Sequence, residues 1–344
     1  MGTSLLTNQS AMNALQTLRS IGDSMDQTQR RVSTGLRINE ASDNTAYWSI
    51  SSMMKSDRNA LSSVSDAMAL GKSQIDVANA TIDKSKEYLD NIQKSLTTAY
   101  QKGSGDVKKI QADIKANMND IESAVYSASL AEKNILGNGG ESVRIAGSYR
   151  REGSNVYVDM IDVGGDELNF AIKGANGTFD LTKGVLKDIF AKDTVTGDNA
   201  ISKLAKTLHD ATTDDAKQSA ENALIGQVSA MTVKDFVEND FSNLSSKGLE
   251  TVLKAIQSKV TGATSAVVTA GATLGAAKAQ VTGQIDYVSK LMDAVDKGVG
   301  SLVDADMNAE SARLASLQVQ QQLGIQALSI ANQNSQNILS LFRQ

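Results

Sequence analysis

Between Ile50 and Ala99 the chain places a side chain of one kind at alternating steps of four and three residues, without a slip. Twelve of the fifteen positions are apolar: Ile50, Met54, Leu61, Val64, Met68, Ile75, Ala78, Ile82, Leu89, Ile92, Leu96 and Ala99; Asp57, Gly71 and Ser85 are the exceptions. This period marks one face of an α-helix and is foreign to a strand, whose faces alternate every second residue. At 1.5 Å per residue the helix is a rod of roughly 75 Å, where an ordinary globular helix has about 11–12 residues. A stripe of that length needs a cover of similar length. Residues 249–298 supply one, with thirteen of fifteen heptad-like positions apolar: Leu249, Leu253, Ile256, Val260, Ala263, Val267, Ala270, Leu274, Ala277, Val281, Val288, Leu291 and Val295. The small residues of TGATSAVVTAGATLGAAKA (261–279) permit close approach. The economical arrangement sets the two rods side by side, packed through Ile50, Leu61, Val64, Met68, Ile75 and Leu89 on one and Leu253, Ile256, Val260, Leu274 and Leu291 on the other. Residues 107–134, striped by Val107, Ile110, Ile114, Ile121, Ala124 and Ala128, form a third member. The short QKGSGD (101–106) makes it an antiparallel hairpin with the first rod.

Between the rods the pattern changes. After LGNGG (136–140), the segments SVRIAG, SNVYVDMIDV and LNFAIKG alternate and favour β-branched residues between Gly-rich turns, and NGTFDL reads as one further short strand. Helical patches such as DDAKQSAENALIGQVSAM follow. Residues 141–245 therefore read as a separate α+β insertion.

The two ends share a different property. The 29 residues from Leu314 to Phe342 hold no Asp, Glu, Lys or Arg, and ten of them are Gln or Asn. At the chain's 21% charged content about six charges are expected. Leu314, Leu317, Leu328, Ala331, Ile338 and Phe342 share a helical face once Gln321, Gly324 and Ser335 are counted in register. The N-terminal segment has no charged side chain before Arg19, and it sets Ala11, Ala14, Leu18, Ile21, Met25, Thr28 and Val32 on similar steps. GLRIN (35–39) interrupts it, and Ser42 or Asp43 is placed to cap the first rod. Too polar to span a bilayer, the uncharged tail is either an amphipathic helix docked on its own domain or a helix buried among copies of itself. In the second case amides can pair where charges would be costly to desolvate.

Composition excludes several classes. There is no Cys, so disulfides, iron–sulfur centres and thiol catalysis are out. A triad or a His-rich metal site would rest on His209 alone, which reads as a surface residue, and no HExxH is present. We expect no enzyme, no metal and no cofactor. A net charge of −5 gives no reason to expect nucleic acid. No segment reads as a membrane span, and the start of the chain lacks the form of a secretory signal or a myristoylation site. Trp48 beside Tyr47 reads as packing or a subunit contact, and Met53 and Met54 as flexible packing residues. Proline is absent where roughly 17 are expected, so no helix is broken by a missing N–H and no X-Pro isomerisation slows folding.

RRVSTGLRINEASDNTAYWSISSMMKSDRNAL, near the start, resembles the N-terminal signature of bacterial flagellins, and DADMNAESARLASLQVQQQLGIQALSIANQNSQNILSLF resembles their C-terminal signature. ASDNTAYWSI is most like the alphaproteobacterial branch. The resemblance covers about 1–140 and 246–344. It implies a mainly α fold: an elongated antiparallel helical, coiled-coil bundle built from both chain ends, with a central α+β insertion. Residues 1–40 and 299–344 would form the inner core, disordered in the free monomer; 41–140 and 246–298 the rod; 141–245 the surface-exposed variable part. It implies a homopolymer, the extracellular flagellar filament, exported unfolded by the flagellar type III apparatus. A chaperone would hold the C-terminal segment, and subunits would add beneath a cap, next to hook-junction proteins. Leu18, Ile21, Met25, Val32, Leu314, Leu317, Leu328, Ala331, Ile338 and Phe342 are then the inner-core contacts. Neutral amides there can stay wet along an export channel without attracting passing chains of either charge. Flagellins sensed by the vertebrate innate receptor carry a motif like LQRVREL in the first rod. Here the aligned stretch is IQKSLTT: Gln93 is kept, Lys94 keeps a positive charge, and Leu96, Thr97 and Thr98 depart from the pattern, which implies weak or absent activation. The rival reading is a hook–filament junction protein or another type III-secreted helical protein.

Overall fold

The computed structural model describes residues 8–102, 106–153, 155–174 and 178–341, with side chains described except at 101–102 and 334–341. The chain is mostly helical with a small strand-bearing region. Its elements are α1 (Gln9–Thr34), α2 (Thr45–Lys102), α3 (Val107–Ser127), β1 (Val143–Glu152), β2 (Asn155–Val163), β3 (Ile172–Lys173), β4 (Phe179–Asp180), α4 (Lys187–Phe190), α5 (Ile201–Asp210), α6 (Asp214–Gly226), α7 (Val233–Glu238), α8 (Ser246–Val303) and α9 (Met307–Leu341). They divide into two compact units, one of residues up to Ser62 with those from Lys290 onward, the other Ser63–Ser289.

In the first unit α1 opens at Asn8, whose side chain accepts from the Ala11 N–H at 3.0 Å, and ends at Gly35, where φ is +72°. Only a residue without a Cβ adopts that turn freely. The segment after Gly35 lies antiparallel to the α8–α9 connection: Leu36 bridges Asp304, the Arg37 N–H donates to the Val303 carbonyl at 2.6 Å, and the Ala305 N–H donates to the Gly35 carbonyl at 2.9 Å. Ile38, Val299 and Val303 form a small core there with Leu36, Met54, Val295 and Leu302 around it. The cap of α2 is Asn44, which accepts from Tyr47 N–H at 3.2 Å, and not Ser42 or Asp43. Asp43 is spent on the preceding turn, accepting from the Asn39 and Glu40 N–H groups.

In the second unit α2 and α8 face each other. Lys278 reaches Asp76 at 2.6 Å, and a Cβ on Gly271 would lie 3.3 Å from Ile82. Met68, Ile75, Leu89, Ile92 and Leu96 of α2 are fully buried, as are Ile256, Val260, Val267, Leu274, Val281 and Val288 of α8. No apolar membrane segment is expected from the sequence, yet α8 holds an 18-residue window with mean hydropathy 1.2, long and apolar enough to cross a membrane by composition. Ten of the thirteen apolar stripe positions of α8 are buried within the chain, and Ala277, Leu291 and Val295 are half-buried.

The third helix stops at Ser127, short of the expected 134. Asn134 turns the chain back: its Nδ2 donates to the Val125 carbonyl, and its Oδ1 accepts from Leu136 and Gly137. β1 and β2 form an antiparallel hairpin, with Val143 opposite Val163, Glu152 opposite Asn155, and a bulge between Ala146 and Ser148. Its base rests on α2 at Gly71, where Ile145 leaves no room for a Cβ. The strand expected over 168–174 shrinks to Ile172–Lys173. Phe170 and Ala171 donate instead to the Leu136 carbonyl, and only Ile172–Lys173 pairs as a strand, antiparallel to Phe179–Asp180. Against α3 pack α7 and the loop after it: Gln111 donates to the Phe236 and Asn239 carbonyls, Lys108 pairs with Asp240 at 2.9 Å, and Phe236 stacks on Phe241.

Candidate assembly surface

α1 and α9 lie antiparallel along each other. Asn8 Nδ2 donates to the Ala331 carbonyl at 3.0 Å at one end, and Arg31 Nη1 meets Glu310 Oε1 at 3.0 Å at the other. Between them Leu18 lies over Gly324, where a Cβ would come within 3.1 Å of Leu18 Cδ1. α9 starts at Asp306, whose Oδ1 accepts from the Asn308 and Ala309 N–H groups. Leu18, Ile21, Met25, Val32, Leu314, Leu328 and Ala331 are half-buried and Leu317 is buried at 8% exposure. The side chain of Ile338 and all of Phe342 lie outside the described residues.

The opposite side of the pair is apolar as well. Met12 and Leu15 of α1 and Val319, Leu323, Ile325 and Ile330 of α9 are exposed, Ile330 to 61%. Val319, Leu323 and Ile330 recur at steps of four and seven, a second helical stripe beside the one that meets α1. Reading for a single stripe misses these six residues; the Val319–Leu323–Ile330 spacing is the signal that finds half of them. A helix of a lone globular domain buries one stripe and wets the other side. A helix with two stripes is built for two partners.

The first unit has another exposed apolar group at the start of α2: Tyr47, Trp48, Ile50 and Met53. Ile50 belongs to the stripe expected to pack, yet is 43% exposed. Leu61, Val64, Met68, Ile75, Leu89, Leu253, Ile256, Val260 and Leu274 are buried and Leu291 is half-buried. At the aligned innate-receptor stretch, Lys94, Thr97 and Thr98 are exposed and Gln93 is half-buried. Leu96 is fully buried, so it contributes nothing to that surface. The Thr97 and Thr98 hydroxyls are tied down, donating to the Gln93 and Lys94 carbonyls.

Polar clusters elsewhere are structural. His209 Nδ1 lies 3.6 Å from Asp240 Oδ2. Burial raises the Asp240 pKa, but hydrogen bonds from Ser242 and Lys108 outweigh it and hold the carboxyl well below the usual range. Among the described residues no three His, Asp or Glu side chains converge on a point that could hold a metal ion.

Residues 5–139 match the bacterial flagellin N-terminal helical region, and residues 257–342 match the bacterial flagellin C-terminal helical region. A flagellin of Bartonella bacilliformis is 46% identical over 95% of this chain and 97% of its own length. The chain belongs to the flagellin family. A flagellin of Brucella melitensis is 40% identical over 99% of both chains, and flagellin A of Rhizobium meliloti is 35% identical over 99% of this chain and all of its own. These are relatives from the alphaproteobacterial branch. As a flagellin the chain is a structural subunit of the extracellular flagellar filament that serves motility. As a subunit of a polymer the chain is surrounded by its own copies.

Proposed function

We propose that the α1–α9 pair is the principal polymerising surface, and that its outward stripe is covered by the same helices of neighbouring copies. The supporting observation is that α9 carries apolar side chains both toward α1 and away from it. In this reading residues 1–40 and 299–344 form the inner layer, 41–140 and 246–298 the rod around it, and 141–245 the solvent-facing part. The terminal segments are too weakly apolar to order alone against about 1–2 kcal/mol of backbone entropy per residue, so they fold as they assemble. Such a subunit is exported unfolded by the flagellar type III apparatus. It is held by a chaperone on about 300–344, and adds beneath a cap on a filament that starts at the hook-junction proteins. It carries out no catalysis. A junction protein would share the architecture without forming long filaments.

Seeded polymerisation of the full chain, viewed by negative-stain microscopy, tests this beside a chain lacking 314–344. Long filaments from the first and none from the second are expected; equal polymerisation would remove α9 from the interface. We also propose weak or absent activation of the vertebrate innate flagellin receptor. Leu96, which faces inward, stands where the pattern has its Arg fork, and Thr97 and Thr98 stand where it has Glu and Leu. Low-nanomolar activation of receptor-reporter cells would contradict this.

A further inference from the structure

We infer that the Arg31–Glu310 ion pair sets the register in which α1 and α9 associate, and so determines whether an arriving subunit can seat in the filament. The inference rests on the α1–α9 pair being the polymerising surface.

A register device is needed because the apolar seam says little about alignment beyond its base, where residues 35–38 pair with 303–305. On α9 the positions facing α1 are Leu314, Leu317, Gln321, Gly324, Leu328 and Ala331, a short repeat of small or aliphatic side chains with no charge. Sliding α9 by one heptad superposes this pattern on a similar one, so apolar burial discriminates poorly between registers. The charges of the pair lie at its base. Arg31 is in the last turn of α1 and Glu310 in the first turn of α9, each on the helix end whose dipole favours its sign. Both side chains are largely enclosed, 22% and 12% exposed. They meet through one contact only: Arg31 Nε and Glu310 Oε2 are also buried, and each lacks a hydrogen-bond partner. A pair so enclosed and half-satisfied adds little net stability, and its value lies in what happens when it is broken. Slipped by one heptad, α9 would set Arg31 beside Leu317, itself buried, and carry Glu310 past the end of α1. The wrong register thus separates two largely enclosed charges that the right one pairs. Leu18 over Gly324 and Asn8 on the Ala331 carbonyl agree with the same alignment but carry no comparable penalty.

The test is a charge-swap cycle in the full chain with a direct reading of register. Arg31→Glu and Glu310→Arg alone should each raise the critical concentration for seeded polymerisation about tenfold or more. Arg31→Glu combined with Glu310→Arg should return it to within about threefold of the unaltered chain; the remainder reflects swapped charges opposing both helix dipoles. The absence of native cysteine makes crosslinking unambiguous. In filaments grown with the ion pair intact, Leu18→Cys with Gly324→Cys should form a disulfide and Leu18→Cys with Ala331→Cys should not. Adding Glu310→Gln at forcing concentrations should weaken the first crosslink and produce the second. Three results would overturn the inference: single variants that polymerise normally, a swap no better than its components, or an unchanged crosslink in the Glu310→Gln chain. Failure of the unaltered chain to elongate seeds would instead refute the polymerising-surface reading.

Discussion

Asp76 lies between two ammonium groups, Lys278 of α8 at 2.6 Å and Lys72 one turn back on α2 at 3.1 Å. The Lys278 contact is the main reason its carboxyl titrates below the usual value; burial opposes this, and Lys72 adds to it. A carboxyl whose folded pKa lies below its unfolded one contributes stability above the unfolded value, near 4, and loses it as pH falls through the folded value. Its side chain is more than a third exposed, so solvent screens the pair and the effect is small. Thermal melting of the Asp76→Asn chain should therefore differ from that of the unaltered chain at pH 7, and the gap should narrow as pH falls below about 4; a gap that widens on acidification would contradict this. Single residues also explain why the long apolar stripes have interruptions. Gly71 looks like a flaw in the first rod, but it is the place where Ile145 of the hairpin presses on the helix. Gly298 does the same for Met54. Ser85 is wholly buried in its stripe position. At the two glycines the sequence shows that a side chain is missing, but not what fills the space, because the filler comes from far away along the chain.

The long helices are legible because their signal is local and repeated. A step of four and three sustained over fifteen positions has no competing reading, and α2 and α8 extend only three to five residues beyond the stripe at each end. Short elements have no such redundancy. The segment LNFAIKG alternates as a strand should, but its Phe170 and Ala171 amides find the Leu136 carbonyl before they find a partner strand. The end of α3 is likewise decided by Asn134, a single side chain beyond the helix that captures three backbone groups. At α9 the side chains toward α1 follow one helical face, with Leu317 its buried member. The second stripe of Val319, Leu323 and Ile330 hides behind the first, because a helix read for one apolar face treats the remaining apolar residues as incidental.

Across the whole molecule, apolar surface is divided unevenly. The central lengths of α2 and α8 bury their stripes within the chain, whereas the terminal helices and the start of α2 keep large apolar side chains in water. Surface of this kind marks an interaction site in a soluble protein. In a flagellin the natural occupant is another copy. Absence of proline and a charge-free tail agree with the proposal that the terminal helices order on assembly: such a chain would gain from uninterrupted helices. The most direct measurement places charge on the outward stripe and leaves the α1-facing seam intact. A chain with Val319→Lys, Leu323→Lys and Ile330→Lys should match the unaltered monomer in helical content and melting, and should fail to elongate filament seeds. Elongation at the unaltered rate would mean that the outward stripe of α9 meets no neighbour, and that subunits do not assemble through this pair of helices.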